Sequence, residues 1–428
     1  MLVINWNDIL IISFYGLQIV LLFFWIYWLF ISLFGFGRAK KLENKSPKKR
    51  FLILVPAHNE EKVIGNLVEN LQNLHYPNKL YDVVVIADNC NDKTAEISRS
   101  LGAKVIEHES KPGELRGKPY GIKYAVEQIG KDLTKKYDAI CFFDADNLVT
   151  LNYLQEMNNH LLNGDRLIQC YLDSKNPDDN WVTLSYATSY YYMNRAWQLG
   201  KSRLGLGNAI GGTGFCVDTK LFTEVGWTAQ SLTEDLEFTM QCLLKGTPAR
   251  WCHYARVYDE KPESFIASCI QRLRWARGHW DVCFKYTGKL LWRFIRKFDI
   301  LALDGAIYLV NPGRIILNSL SGAIILLSNL AFAQSWFQAI LPWQIWLFMI
   351  IFQFSYVVYT LISDSNKRLN KIKGILSLIL FNLSYVPLFF WSLFTKDNKT
   401  WKRTEHTRNI LIDEINIAKE QVTPTKER

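Results

Sequence analysis

Charge is scarce in this chain. Charged residues make up 21% of its 428 amino acids and apolar residues 49%, which is apolar for a soluble enzyme of this length. The shortage is uneven: residues 9–34 carry no charge at all, and that run is long enough to cross a bilayer as a helix. It has neither the basic n-region nor the small-residue cleavage site of a secretory signal, so it reads as retained. Also missing is any CxxC pair. The eight cysteines fall at irregular spacings between Cys90 and Cys283, which argues against a zinc site or a disulfide framework and for reduced cytosolic thiols. The net charge of +10 requires no nucleic acid. Much of it lies in loops flanking apolar runs, where membrane lipid of negative charge is the natural partner.

The first apolar run is followed by GRAKKLENKSPKKR, with Arg38, Lys40, Lys41, Lys45, Lys48, Lys49 and Arg50. The positive-inside rule puts this flank in the cytoplasm and the N-terminus outside. Apolar stretches of spanning length recur at about 301–333, 341–363 and 374–395, and the basic loop SDSNKRLNKIK between the last two belongs inside as well. One crossing before the middle region and three after it would leave the tail KDNKTWKRTEHTRNILIDEI outside, although its basic, polar character suits the inside. Either one late segment does not span or the tail is external. Asn311-Pro312-Gly313-Arg314 interrupts the first of them, and Asn382 with Pro387 the third; each marks a candidate broken or interfacial piece.

From residue 51 the pattern changes. FLILVP, DVVVIA, AKVIE, DAICFF and RLIQCY are short β-branched or aromatic runs, separated by amphipathic stretches such as 60–73, 92–101 and 119–129. That alternation predicts βαβ units and a largely parallel sheet, with ligands bound beyond the carboxyl ends of the strands. AHNEE, DNCND and DADN sit at three of those ends. Taken singly, the first two are ordinary turn and cap sequences; Asn59 followed by Glu60 and Glu61 would start a helix well. DADN is different. Asp144 and Asp146 repel each other unless a cation is close, and a hard divalent metal bridging to a diphosphate is the economical explanation. Lys118 follows a glycine at a helix start, where its ammonium and backbone amides could meet phosphate. GGTGF, with Gly212, Thr213 and Gly214, offers backbone that a ligand can approach closely. In SLTEDLEF, Glu234 and Asp235 open a helix, for which Thr233 would be a good N-cap.

VPAHNE, IADNCND, GK, DAD, GGTGF, TED and QRLRW occur in an order that resembles the membrane-integrated family 2 glycosyltransferases, and among them the processive synthases of cellulose, chitin, hyaluronan and poly-N-acetylglucosamine. The likeness covers about residues 51–290. It implies a GT-A fold, a UDP-sugar donor, Mg²⁺ or Mn²⁺, and inverting transfer. On that resemblance Ala57, Glu60 and Asp88 hold the uridine, and Lys118 and Asp144 position the nucleotide and diphosphate. Asp146 ligates the metal. Asp235, beside Glu234, is the general base, and one carboxylate is enough for a single inverting displacement. Gln271, Arg274 and Trp275 match QxxRW: Arg274 meets the diphosphate and Trp275 offers a ring face to the acceptor sugar, with Gly212, Thr213 and Gly214 also on the acceptor side. Arg277, His279 and Trp280 read as interfacial rather than catalytic. VYDEKPES, with Glu260, recurs in the family but receives no role.

The expected organisation is a transmembrane helix at 1–37, a cytosolic GT-A domain at 38–263, interfacial helices with QxxRW at 264–298, a transmembrane bundle at 299–396 and a polar tail at 397–428. The leading expectation is a polysaccharide synthase that also translocates its product, whose small bundle would need an accessory subunit or a second copy to form a channel. The alternative is a glycolipid-forming transferase acting on a membrane lipid.

Overall fold

The computed structural model describes residues 5–130, 133–311, 313–365, 369–398 and 408–415, the side chain of Arg314 excepted. After a long first helix, α1 (Trp6–Leu33), the runs read as strands form one sheet. Its strands are β1 (Phe51–Ala57), β2 (Tyr81–Asp88), β3 (Lys104–His108), β4 (Ala139–Phe142), β5 (Leu148–Val149), β6 (Leu167–Ser174), β7 (Phe215–Asp218) and β8 (Arg250–Asp259). The order is β3-β2-β1-β4-β7-β6-β8-β5. The first four strands are parallel, as are β6 and β8, while β7 runs against both neighbours and β5 against β8. The parallel half explains the near-continuous apolar run of β1, which is covered on both faces. Its Ile53 and Val55 join one core and Leu52 and Leu54 the other.

The intervening helices are α2 (Ile64–Gln72), α3 (Thr94–Ser100), α4 (Lys118–Ile129), α5 (Leu133–Lys136), α6 (Tyr153–Leu162), α7 (Trp181–Tyr192), α8 (Gly200–Arg203), α9 (Thr219–Val225) and α10 (Glu234–Leu244); a π-helical turn, Met193–Leu199, joins α7 to α8. Two cap expectations fail. Asn59 does not start α2, which begins at Ile64 without a side-chain cap. Instead the loop after β1 is knitted to the loop after β2: Asn59 Oδ1 accepts from the Asn91 amide, Glu61 Oε2 from that of Lys93, and the Glu60 N–H donates to Thr94 Oγ1 at 2.8 Å. Nor does Thr233 cap α10. Glu237, within the helix, instead ties down the loop that leads into it, accepting the N–H groups of Gln230 and Ser231 at 2.9 and 2.8 Å.

Beyond the sheet come α11 (Phe265–Lys297), α12 (Ile300–Val310), α13 (Gly313–Asn329), α14 (Trp343–Asp364) and α15 (Lys371–Phe394). By length and composition α1, α14 and α15 could cross a membrane, and α12 with α13 forms a pair bent by 61°. The bend falls at the predicted Asn311–Gly313 interruption, where Gly313 takes φ 78°. Asn382 and Pro387 leave α15 unbroken. The ends of α1 and α14 meet on the α/β domain: Arg195 donates to the carbonyls of Gly35 and Gly37 and pairs with Asp364 at 2.7 Å, and Tyr171 donates to Asp364 as well. α15 therefore starts on the domain's side. It runs along α7 and α11, where Arg272 donates to the Phe381 carbonyl at 3.0 Å. The chain is back on the domain by Arg408, which pairs with Asp179 at 2.6 Å and gives its N–H to Glu260.

Candidate active site

The strand ends open into one cavity of about 1010 Å³. At one end lie Ala57, closing β1, with Glu60 and Asp88. Asp88 is 6% exposed, and its Oδ1 takes hydrogen bonds from His108 Nδ1 at 2.7 Å and Asn89 Nδ2 at 2.8 Å. Next comes Lys118, the first residue of α4, preceded by Gly117 at φ 123°. Its ammonium donates to Asp144 Oδ1 at 2.5 Å and to the Gly212 carbonyl at 2.7 Å, with Glu234 at 3.9 Å. Burial alone would lower the Lys118 pKa, but Asp144 and Glu234 outweigh it and raise it.

The turn after β4 is held from several sides. The Asp144 N–H donates to Asn147 Oδ1 and Thr213 Oγ1. Asp146, 4% exposed, accepts from the Glu260 N–H at 2.8 Å and from Asn147 Nδ2 at 3.2 Å, and its carbonyl takes Lys175 Nζ at 2.9 Å. Thr213 lines the cavity, but its hydroxyl is spent on this turn. Gly214 is absent from the lining. A Cβ there would lie 2.6 Å from both Cys170 Sγ and Val257 Cγ1, so this glycine lets β7 pass its neighbours rather than facing an acceptor. Gly212 does face the site: a Cβ on it would sit 3.4 Å from Asp235 Oδ2.

Asp235 stands in the first turn of α10, its Oδ1 accepting the Leu236 N–H at 2.8 Å. Burial, then the neighbouring Glu234, pushes its carboxyl up to about 7, while the Leu236 hydrogen bond, Lys118 and Arg274 hold it down. A carboxylate with that pKa is matched to proton abstraction at neutral pH.

α11 supplies the remaining wall, and QRLRWARGHW now makes geometric sense. Gln271, Arg274, Trp275, Gly278 and His279 recur at i, i+3, i+4, i+7 and i+8, one stripe of the helix. Gln271, Arg274, Trp275 and His279 all line the cavity. Gln271 accepts from Tyr186 OH at 2.9 Å, and Tyr186 meets the Trp275 ring edge-on at 6.1 Å. Gly278 packs on the residue before Glu234: a Cβ would lie 2.6 Å from Thr233 Oγ1 and 2.8 Å from its backbone N. Arg277 and Trp280 lie off the stripe, against Thr395 and Phe389. His279 departs from the interfacial expectation.

Among the described residues no three His, Cys, Asp or Glu side chains converge on a metal position. The acids nonetheless fit a cation that is completed by a ligand's oxygens. Asp259 Oδ1 is buried without a hydrogen-bond partner. Burial pushes the Asp259 carboxyl up to about 6 against the pull of Lys261, with Asp146 and Asp144 adding to the rise. All-oxygen donors of this kind suit Mg²⁺ or Mn²⁺ bridging to phosphate. Lys175, Asp259 and the Glu260 amide, which hold or surround Asp146, escaped the sequence reading because backbone donors and packed partners leave no motif. His279 could have been found from its i+8 spacing to Gln271.

All eight cysteines are unpaired. Residues 47–278 match the sequence model described as glycosyltransferase-like family 2. A probable glycosyltransferase of Bacillus subtilis, YdaM, is 24% identical over 89% of this chain and 94% of its own length. A β-monoglucosyldiacylglycerol synthase of Trichormus variabilis is 29% identical over 54% of this chain, which spans 51% of that protein. Among solved structures, the Pyrobaculum calidifontis mannosyltransferase PcManGT, in complex with GDP-mannose and Mn²⁺, superposes with a TM-score of 0.51 at 16% identity, covering 84% of this chain and 99% of its own. The fold is thus GT-A, and the chain belongs to the family 2 glycosyltransferases.

Proposed function

We propose that the protein transfers a hexosyl or N-acetylhexosaminyl unit from a UDP-sugar, with inversion, to an acceptor hydroxyl at the membrane, and so extends a β-linked polysaccharide. One observation carries this reading. A single cavity joins the strand ends at Ala57 and Asp88 to Asp235 and Trp275, and then to Asn311 and Ile315 at the α12–α13 bend and Phe389 of α15. Its volume is at the upper end for small-molecule sites, which leaves room for donor and acceptor together.

Asp88, with Ala57 and Glu60, holds the nucleoside. Lys118 and Arg274 face the diphosphate; Arg274 lines the cavity and is a charge-assisted donor suited to phosphate. A divalent cation, Mg²⁺ or Mn²⁺, held by Asp146 with Asp144 nearby, would supply Lewis-acid stabilisation of the leaving diphosphate. Asp235 takes the proton from the acceptor hydroxyl as that oxygen attacks the anomeric carbon, and Glu234 keeps its pKa high. Trp275 stacks on the acceptor. The complex of PcManGT with GDP-mannose and Mn²⁺ is consistent with a divalent cation here.

In the membrane, α1, the bent α12–α13 pair and α14 cross, while α15 lies in the interface. A single crossing would separate its two flanks, and residues 395–407 are too few to recross, since a spanning helix needs about 20. The N-terminus is then outside, and the catalytic domain and tail are cytoplasmic. Three crossings are few for a closed channel, so a second copy or an accessory subunit completes it.

A lipid acceptor is the second reading. The apolar lining from Ile315 and Phe389 and the relationship to a β-monoglucosyldiacylglycerol synthase favour it. Purified protein with Mn²⁺ and radiolabelled UDP-glucose or UDP-N-acetylglucosamine decides between them. A long product resistant to organic extraction upholds the polysaccharide reading. A small chloroform-soluble product made only with added lipid replaces it with the second, and no transfer to either acceptor refutes both.

A further inference from the structure

On the membrane side of Asp235 the cavity wall changes character. Tyr308 and Asn311, from the end of α12, and His279, from α11, line it there together. Their hydrogen bonding fixes what each can still offer. His279 Nε2 lies 2.8 Å from the Leu309 carbonyl. A carbonyl only accepts, so Nε2 carries the proton. The ring is neutral, since burial lowers the His279 pKa, and Nδ1 is left as an acceptor that no described residue satisfies. Asn311 is fixed in the opposite sense. Its Oδ1 accepts from Trp28 Nε1 at 3.1 Å and from the Gly313 N–H at 2.8 Å. Its Nδ2 is buried with no partner among the described residues, on a side chain in the 8% exposed Asn311. Tyr308 meets the His279 ring edge-on at 5.9 Å and has no described hydrogen-bond partner for its hydroxyl.

These groups add up to an acceptor, a donor and a hydroxyl that can be either, beside aromatic rings and free of net charge. Leaving a buried polar group such as Asn311 Nδ2 unmade costs about 1–3 kcal/mol, and with the half-buried His279 and Tyr308 lining the same wall the set calls for a polar, uncharged ligand. We propose that His279, Tyr308 and Asn311 form a polyol-binding subsite next to the catalytic carboxylate, which grips hydroxyls of the acceptor beyond the one that reacts. The shared ligand chemistry is neutral vicinal hydroxyl, whether from the end of a glycan or from the glycerol headgroup of a lipid. The stripe on α11 places the subsite: Gly278 touches Thr233, so the next residue, His279, is held within one helical step of the turn that carries Asp235. This inference rests on the acceptor reading above.

The test is equilibrium binding of acceptor to full-length protein in nanodiscs containing UDP and Mn²⁺, in an Asp235→Asn background so that nothing turns over. The probes are a β-linked glucose or N-acetylglucosamine tetrasaccharide, and dioleoylglycerol built into the disc. Tyr308→Phe removes only a hydroxyl. Asn311→Asp keeps the oxygen that Trp28 and Gly313 use and deletes the donor. His279→Leu deletes Nδ1, whereas His279→Gln can still donate to Leu309 and present an acceptor. Tyr308→Phe and His279→Leu are each expected to weaken binding of the accepted probe about 3- to 10-fold, with His279→Gln restoring most of the loss and UDP affinity unchanged. The probe that responds names the source of the hydroxyls. Unchanged acceptor binding in Tyr308→Phe and His279→Leu overturns the subsite and leaves the transferase reading standing. Failure of the unsubstituted cavity to bind either probe overturns both. A loss in His279→Leu that His279→Gln does not restore, with Tyr308→Phe silent, also overturns the subsite, because it marks the Leu309 contact as structural.

Discussion

Gly278 and Gly288 lie on the same helix, α11, and should respond oppositely to the same substitution. Alanine is favoured over glycine in a helix interior by about 1 kcal/mol. At Gly288 a Cβ meets nothing within 4 Å, so Gly288→Ala should stabilise the protein by about that amount. At Gly278 the same methyl would lie 2.6 Å from two side-chain atoms of Thr233 and 2.8 Å from its backbone N. A rotamer change can clear the side-chain atoms, but the backbone contact yields only if α10 moves away from α11. Overpacking of that kind costs about 1–3 kcal/mol, which cancels or exceeds the helix gain. What moves is the turn carrying Glu234 and Asp235, so the catalytic effect should be larger than the stability effect. A shift of the order of 1 Å in a reacting group can lower a rate about 100-fold. The assay pairs thermal unfolding in detergent with sugar transfer at saturating donor. Gly278→Ala is expected to lose about 10- to 100-fold in kcat with a small change in Tm and with UDP binding retained; Gly288→Ala is expected to keep full activity. If Gly278→Ala matched wild type in kcat, α11 would not be setting the position of Asp235, and the argument from the stripe would fail.

Two further substitutions test the chemistry. Asp235→Asn should lower transfer by about 10²- to 10⁴-fold while UDP still binds, and wild-type kcat/KM should fall about tenfold per pH unit below about 7, the pKa of the Asp235 carboxyl. The stability sign follows from the same shift. This carboxyl ordinarily ionises near 3.8, so unfolding releases its proton between there and about 7 and stability falls as pH rises through that window. The Tm advantage of Asp235→Asn over wild type should therefore widen from pH 5 to pH 8, and a gap independent of pH would contradict the buried carboxyl. Asp146→Asn keeps an oxygen for the Glu260 N–H but removes a metal-binding charge. Titration with UDP should show the Mn²⁺-dependent part of the affinity reduced at least about tenfold and the metal-free part unchanged.

The parallel half of the sheet was legible because β1, β2 and β4 are buried on both faces and therefore read as apolar runs, while the more exposed edge strand β3 still carries a β-branched centre at Val105 and Ile106. β1 to β4 and β6 fall where FLILVP, DVVVIA, AKVIE, DAICFF and RLIQCY predict them. β5 and β7 were not legible. β5 is two residues long, and β7 borrows its register from β4 and β6 rather than from a pattern of its own. The residues expected at the site were legible through motif order, and most reach the one cavity. Gly214 does not, because a glycine needed for a close backbone passage looks the same in sequence as one needed for a ligand. Asn59 and Thr233 misled in the other direction: each is a good cap by type, yet Asn59 Oδ1 is bound 32 residues away at Asn91 and the Thr233 side chain makes no cap bond to α10. α15 is long and apolar enough to span, as its sequence suggests; its proposed place in the interface draws instead on the contacts of Asp364 and Arg408 with the α/β domain, which length and hydropathy do not contain.

The arrangement of α11 also explains why the α/β domain is bound to the apolar helices rather than merely tethered to them. One face of this helix carries Arg274 and Trp275 into the cavity and bears on Thr233 through Gly278. The next residue, His279, bonds to the Leu309 carbonyl just before the bend between α12 and α13. The edge of the same face buries Arg272, whose guanidinium donates to the Phe381 carbonyl and Ser384 Oγ of α15 and lies over the Phe381 ring at 4.0 Å. A helix of 33 residues thus holds the turn carrying Asp235, the Trp275 ring and two of the apolar helices in one frame. Lys201 and Asp304, paired at 2.8 Å and almost wholly buried, lock α12 to α8 on the far side. Breaking a buried pair by removing one partner costs about 3–5 kcal/mol, so α12 cannot swing away cheaply. On the acceptor reading proposed above, acceptor then enters or leaves along the cavity past Tyr308 and Asn311, with the helices standing still around it.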